Sequence, residues 1–356
     1  MKTLELEIDM NHQNASRWKI LIFSFVLVFL FTLLSQMGFS FSKKDFSDST
    51  AEPVINKLIP MLNKTKNNFA VKPQQQIVSG AYAASDFDNA TSYAAIDYNT
   101  GQVIMQKNLD KPVSIASLTK IMTAVVALDL AKYNEKITIS KKAANEEPTK
   151  IGVVPGQKMT VEELIDASLM TSANDAAQAL RDGINQKYGA NVFVDAMNEK
   201  AKFLGLTDTK FTNPQGFDIG DNHSSAKDLA VLTEYALKNY PIIRKAVSQD
   251  YVFLAANNYH KQFDLYNWNG LLDVYPGVTG MKIGNTDNAG YTTIVVSERN
   301  GKKIIAVLLG APGIIQRDLW TSQLLDSAFE KIDNLSPVSL TQADLMSKYS
   351  TWKYWN

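Results

Sequence analysis

The chain has 356 residues with 36 basic and 36 acidic side chains, so there is no basic excess for phosphate-backbone binding and no nucleic-acid partner is expected. It has no cysteine, which excludes disulfides, thiolate metal sites and a thiol nucleophile. Histidine is limited to His12, His223 and His260, and His223 reads as a loop residue in "GFDIGDNHSSAKD", so no metal site is expected.

In chain order, residues 1–19 carry three Lys/Arg and read as a cytoplasmic tail. No charged residue falls between Lys19 and Lys43, and "ILIFSFVLVFLFTLLSQMGFSF" exceeds the roughly 20 apolar residues that span a bilayer core. No A-x-A cleavage pattern follows, so an uncleaved transmembrane anchor is expected over 20–41, with a cleaved signal as the alternative. Basic residues flank the segment equally, three in 1–19 and three in 43–57, and leave orientation weakly signalled. An export-type anchor makes this a single-pass protein of the cell membrane with the bulk of the chain extracytoplasmic.

Residues 42–90 read as a stalk or linker, in which "PVINKLIPML" has the pattern of a short amphipathic helix. The folded domain is expected over 91–332. "SYAAIDYNTGQVIMQKN" reads as two strands around a turn at Asn99–Gly101, and 117–132 as a helix apolar nearly all round. "TVEELIDASLM" carries helix-start chemistry, Thr160 as cap and Glu163 three residues on. Helical patterns follow at 173–187, 191–204 and 226–239. "GVTGMKI", "GYTTIVVSE" and "KKIIAVLLGA" read as strands, and 317–331 as a last helix. Strands first and last with helices between predict an α+β fold: an antiparallel sheet built from both ends of the domain, flanked by helices, with an inserted helical lobe. Residues 333–356, ending "YSTWKYWN", read as a C-terminal tail.

Three short patterns carry chemistry. Ser-x-x-Lys occurs five times, but only Ser117…Lys120 falls at the start of a predicted buried helix. Residues three apart share a helix face, and a buried lysine can lose its proton and act as base for a serine. The same pattern also suits a plain helix start. Ser172-Ala173-Asn174 lies between two helical runs, where a hydroxyl and a carboxamide can face one cleft or simply cap a helix. Lys282 and Gly284 sit in a strand-like run, where a lysine can hold a carboxylate and a glycine admits a close backbone approach.

In this order the three patterns resemble the S-x-x-K, S-x-N and K-T-G signature of penicillin-binding proteins and serine β-lactamases. The nearer likeness is to the D-alanyl-D-alanine carboxypeptidases among the low-molecular-mass penicillin-binding proteins. It spans residues 91–332 and includes "AAIDYNTGQVIMQKNLDKPVSIASLTKIMTA", "LMTSANDAAQAL", "FTNPQGFDIGDNHSSAKDLA" and "TDNAGYT". The resemblance implies a β-lactamase/DD-peptidase-like fold and hydrolysis of peptidoglycan stem peptides, without a cofactor. Ser117 would be the acylated nucleophile, Lys120 its base and Ser172 the proton relay to the leaving group. Asn174 would bind the peptide amide, Lys282 the terminal carboxylate, and Gly284 would line the substrate strand. The N–H groups of Ser117 and Asn285 would form the oxyanion hole. β-Lactam antibiotics would act as inhibitors.

The sequence departs from the family at Ile283, where the motif has Thr or Ser. The alternatives to a carboxypeptidase are therefore an impaired wall-peptide-binding protein and a D,D-endopeptidase. A β-lactamase of the class A type is disfavoured, because the loop from Gly205 to Ser225 has no glutamate to serve deacylation.

Overall fold

Strands from the two ends of the domain meet in one sheet. The computed structural model describes residues 54–73 and 85–352. In it, β1 (Ser92–Asp97) and β2 (Val103–Lys107) pair antiparallel, as do the late strands β9 (Val278–Thr286), β10 (Gly290–Arg299) and β11 (Lys302–Ala311). β1 pairs with β11, which closes the order β2-β1-β11-β10-β9. Both faces are covered. Along β11, Ile305, Val307 and Leu309 join the core beneath the helical lobe, while Ile304, Ala306 and Leu308 join a second core beneath the C-terminal helices. Burial on both faces is why "KKIIAVLLGA" is continuously apolar rather than alternating.

The inserted lobe follows β3 (Val113–Ser114). A 3₁₀ turn over Ala116–Thr119 runs into α2 (Lys120–Leu130), whose residues are nearly all buried. Then come α3 (Lys141–Ala144), α4 (Val161–Met170), α5 (Asn174–Tyr188), α6 (Val192–Leu204), α7 (Ala226–Asn239) and α8 (Pro241–Ser248). Short ladders join β4 (Lys136–Thr138) to β5 (Lys158–Thr160), β3 to β6 (His223–Ser224), and β7 (Tyr251–Leu254) to β8 (Phe263–Tyr266). The Thr160 cap forms as expected: its hydroxyl accepts from Glu163 N at 3.2 Å, and the Glu163 carboxylate accepts from Thr160 N at 2.7 Å.

Two expectations about the ends of the domain are corrected. Part of the expected 42–90 linker is built into the fold. α1 (Val54–Leu62) buries Leu58 and Leu62 in the helical core. The fully buried Lys200 of α6 donates to the Leu62 carbonyl and the Tyr235 hydroxyl and pairs with Asp129 at 2.8 Å, so α1 is fastened from inside. The expected tail is likewise folded as far as Trp352. After α9 (Ile314–Asp333), the Asp326 carboxylate accepts from Val338 N and Ser339 N, turning the chain into α10 (Gln342–Tyr349). Leu345, Tyr349 and Trp352 then enter the second core, where Tyr349 and Trp352 stack with ring centroids 4.9 Å apart. The anchor expected over 20–41 lies outside the described residues, among which no helix is long and apolar enough to cross a membrane.

Removing one member of a buried ion pair strands the other charge. Lys200→Met is therefore expected to lower unfolding free energy by about 3–5 kcal/mol, measured by urea unfolding followed by circular dichroism.

Candidate active site

Ser117 lies in the 3₁₀ turn at the head of α2, on a backbone held from two sides. Ala116 has φ +50°, a left-handed conformation that costs a residue with a Cβ about 1 kcal/mol or more. Two glycines enforce it. A Cβ on Gly216 (φ +94°) would fall 1.9 Å from the Ala116 carbonyl oxygen, and one on Gly284 of β9 would fall 2.7 Å from Ser117 N. At Gly284 the sequence pointed to close approach by substrate. The structure shows that the approaching backbone is the protein's own, at Ser117. The Thr119 hydroxyl donates to the Ala116 carbonyl at 2.9 Å and completes the clamp.

Beneath Ser117 the fully buried Lys120 Nζ has three oxygen neighbours: Ser117 Oγ at 2.8 Å, Asn174 Oδ1 at 2.7 Å and the Gln215 carbonyl at 2.7 Å. Burial lowers its pKa to about 7, against the opposing charges of Asp175 and Glu146. Asp175 is held by four backbone N–H donors, from Ile151, Gly152, Val153 and Ala176. A neutral amine has two N–H donors and one lone pair. Asn174 Oδ1 and the Gln215 carbonyl can only accept, so they take both donors. The lone pair is then left facing the Ser117 hydroxyl.

Lys282 is also fully buried on β9, with Nζ donating to the Ile283 carbonyl at 2.8 Å. Burial first, then the positive charges of Lys120 and Arg317, push its pKa well below the usual lysine value. Arg317, 1 % exposed at the start of α9, binds Asp318 through Nε at 2.6 Å and Nη2 at 2.7 Å. Its Nη1 has no hydrogen bond among the described residues.

Ser172 sits between α4 and α5 with φ +59° and is 5 % exposed. Asn174, the first residue of α5, turns its carbonyl to Lys120 and donates one amide N–H to the Glu147 carbonyl at 3.3 Å. Ser117, Ser172, Asn174, Ile283 and Asn285 line one cleft of about 510 Å³. Lys120 lies below Ser117, and Lys282 and Gly284 lie within the β9 wall. All seven residues singled out from the sequence thus belong to one constellation.

Other residues at the site were not legible in the sequence. Gln215 acts through its backbone carbonyl, which residue identity does not reveal. Gly216 could be singled out only by its need for positive φ. Arg317 reaches the site from the far side of the sheet, 35 residues after Lys282, with no local pattern to mark it. Thr286, two residues past Gly284, offers no substitute for the hydroxyl missing at Ile283. Its hydroxyl donates to Asp218 Oδ1 at 2.9 Å. His223 and His260 do not line the cleft. The first contacts Asp221, and the second contacts Asn257 and Glu163.

Comparison with known proteins agrees with this geometry. Residues 80–313 match the family model described as D-alanyl-D-alanine carboxypeptidase. The chain is 36 % identical over 251 residues to D-alanyl-D-alanine carboxypeptidase DacF of Bacillus subtilis, covering 68 % of this chain and 63 % of that protein. It is 30 % identical over 264 residues to DacA of Escherichia coli, covering 71 % and 64 %. The matched part is thus slightly under two thirds of these relatives' length. Among solved structures, the Streptomyces K15 DD-transpeptidase superposes with a TM-score of 0.64 at 28 % identity, covering 70 % of this chain and 99 % of that one. The carboxypeptidase DacD of Francisella tularensis superposes with a TM-score of 0.61 at 27 % identity, covering 71 % and 73 %.

The burial of Lys120 has a direct spectroscopic consequence. In lysine-labelled protein, the Lys120 Cε resonance should titrate near pH 7, charged below and neutral above. A midpoint above pH 9 would contradict the desolvated environment described.

Proposed function

This chain belongs to the D-alanyl-D-alanine carboxypeptidase family, and from that premise we propose that it hydrolyses the terminal D-Ala-D-Ala bond of peptidoglycan stem peptides through an acyl-enzyme on Ser117. The observation that carries the reading is the Lys120 amine, its two N–H groups committed to carbonyl acceptors and its lone pair 2.8 Å from the Ser117 hydroxyl. With a pKa of about 7, roughly half of it is neutral at neutral pH.

In the proposed sequence, neutral Lys120 takes the Ser117 proton as Oγ bonds to the carbonyl carbon of the penultimate D-alanine. The oxygen of the tetrahedral intermediate gathers negative charge between the N–H groups of Ser117 and Asn285. The proton passes by way of the Ser172 hydroxyl to the leaving nitrogen, the C–N bond breaks and D-alanine departs. Water then attacks the ester, giving the shortened peptide and restoring Ser117. The substrate's terminal carboxylate is drawn to Lys282 and to the unused Nη1 edge of Arg317. A β-lactam enters the same first step and stays as the ester. No metal or organic cofactor takes part in this Ser-Lys chemistry.

Ile283 favours a slower version of this enzyme. Its side chain brings no hydroxyl, and Thr286 is committed to Asp218, so the carboxylate contact falls to Lys282 and Arg317 without a hydroxyl from the motif. The charge-free run between Lys19 and Lys43 supports attachment to the cell membrane by an N-terminal helix, with the peptidase domain extracytoplasmic where peptidoglycan lies. Fractionation of cells expressing the full chain, with protease added to intact spheroplasts, tests that placement.

Incubation with a penicillin should add one antibiotic mass to the protein by intact mass spectrometry, and Ser117→Ala should abolish the adduct. Release of D-alanine from a D-Ala-D-Ala peptide should rise with pH through about 7, as Lys120 becomes neutral, and level off above. Ile283→Thr restores a hydroxyl to the carboxylate site and should raise kcat/KM by about 10-fold or more, as expected for a hydrogen bond to a charged group.

A further inference from the structure

The C-terminal helix α10 lies beyond the residues 80–313 that match the family, yet a chain of buried hydrogen bonds joins it to Arg317, whose charge acts on Lys282 in the β9 wall of the cleft. Tyr349 Oη donates to Asp318 Oδ2 at 2.7 Å. Asp318 is fully buried and holds both the Nε and the Nη2 of Arg317. The charge of Arg317 in turn bears on Lys282. Gly270 closes over the same point: a Cβ there would lie 2.1 Å from Asp318 Oδ2 and 2.7 Å from the Tyr349 ring. Two residues before it, Trp268 lines the cleft.

We infer that Tyr349 is a positioning residue for the reaction: its hydroxyl fixes the Asp318 carboxylate, and Asp318 fixes the plane of the Arg317 guanidinium beside Lys282. The inference rests on the proposed reading of the cleft, in which Lys282 and Arg317 receive a terminal carboxylate. Arg317 and Asp318 are adjacent in sequence and carry rotatable side chains, so their mutual ion pair sets their relative geometry but not the direction of the pair as a unit. An external donor must do that. Tyr349 supplies it from a helix whose own place is fixed by Leu345 and by the stacked Trp352. Burial and the Asp318 charge raise the phenol's pKa, so it remains a donor throughout the working pH range. The Nη1 edge thereby keeps one direction instead of several.

The test compares two peptides on the full-length protein. One is an acetylated tripeptide ending in D-Ala-D-Ala; the other is the same peptide with its terminal carboxylate converted to the amide. Tyr349→Phe keeps the ring and removes only the donor. It is expected to lower kcat/KM for the carboxylate peptide by about 5-fold, mainly through KM, part of the effect of losing a charge-assisted hydrogen bond outright. The amide peptide should be unaffected. Trp352→Phe loosens the same packing without touching the hydrogen bond and should leave the ratio between the peptides unchanged. That ratio does not depend on the fraction of protein folded, so a loss of stability does not obscure it. Equal loss on both peptides, or an unchanged ratio in Tyr349→Phe, overturns the inference. Should the wild type turn over neither peptide, the proposed function fails by itself. Calorimetric binding of the two peptides then decides the role of Tyr349, and an equal carboxylate preference in wild type and Tyr349→Phe rejects it.

Discussion

The structure turns on the placement of one fully buried lysine amine. Burial of Lys120 makes its charged form costly, and the surrounding oxygens determine what the neutral form does. Had the three neighbours all been hydroxyls, the lone pair could point to any of them. Because Asn174 Oδ1 and the Gln215 carbonyl cannot donate, only the Ser117 hydroxyl can. Each of these three neighbours comes from a different part of the chain: the 3₁₀ turn before α2, the start of α5, and the loop before β6. The helical lobe is the device that brings them together around one nitrogen.

The sheet contributes the opposing wall and fixes the backbone of the nucleophile. β9 lies against the 3₁₀ turn so closely that Gly284 has no room for a side chain, and Gly216 meets the same peptide from the other side. The left-handed Ala116 between them is a local cost offset by the packing of the whole lobe on the sheet. A glycine whose position in the motif suggests room for substrate thus has a second use, orienting the Ser117 N–H.

Much of this was legible in the sequence, and what was not has a common cause. Ser117, Lys120, Ser172, Asn174 and Lys282 lie in short local patterns, which taken together carry the family resemblance that assigns their roles. The capping box at Thr160 and the apolar runs of β10 and β11 were legible for the same reason, as local regularities. Gln215 acts through a carbonyl, Gly216 through a dihedral angle, and Arg317 through a distance closed only when β11 and α9 pack together. The region after Asp333 misled because eight helical residues with three buried anchors give too short a period to separate from an aromatic tail. α1 was visible as an amphipathic stretch, but its partner Lys200, a charged side chain inside a helix core, is a residue that composition assigns to the surface.

The burial of Lys120 also bears on the direction of the proposed reaction. When Lys120 accepts the Ser117 proton it becomes an ammonium in a desolvated site that holds Lys282, with Arg317 close enough for its charge to act on the latter. Such an ion is poorly tolerated, and Asp175 and Glu146 compensate it only in part. The same desolvation that lowers the lysine's affinity for a proton urges that proton onward, and the leaving amine, reached through Ser172, is the site that gains by taking it. A lysine in water, with a pKa near 10.4, would seize the proton and keep it. Held near 7, Lys120 is basic enough to assist attack and acidic enough to release the proton within the same catalytic passage. The weakness of the base and its readiness to give up the proton are therefore two effects of one burial. A substitution that opened Lys120 to water would strengthen it as a base while impairing it as an acid.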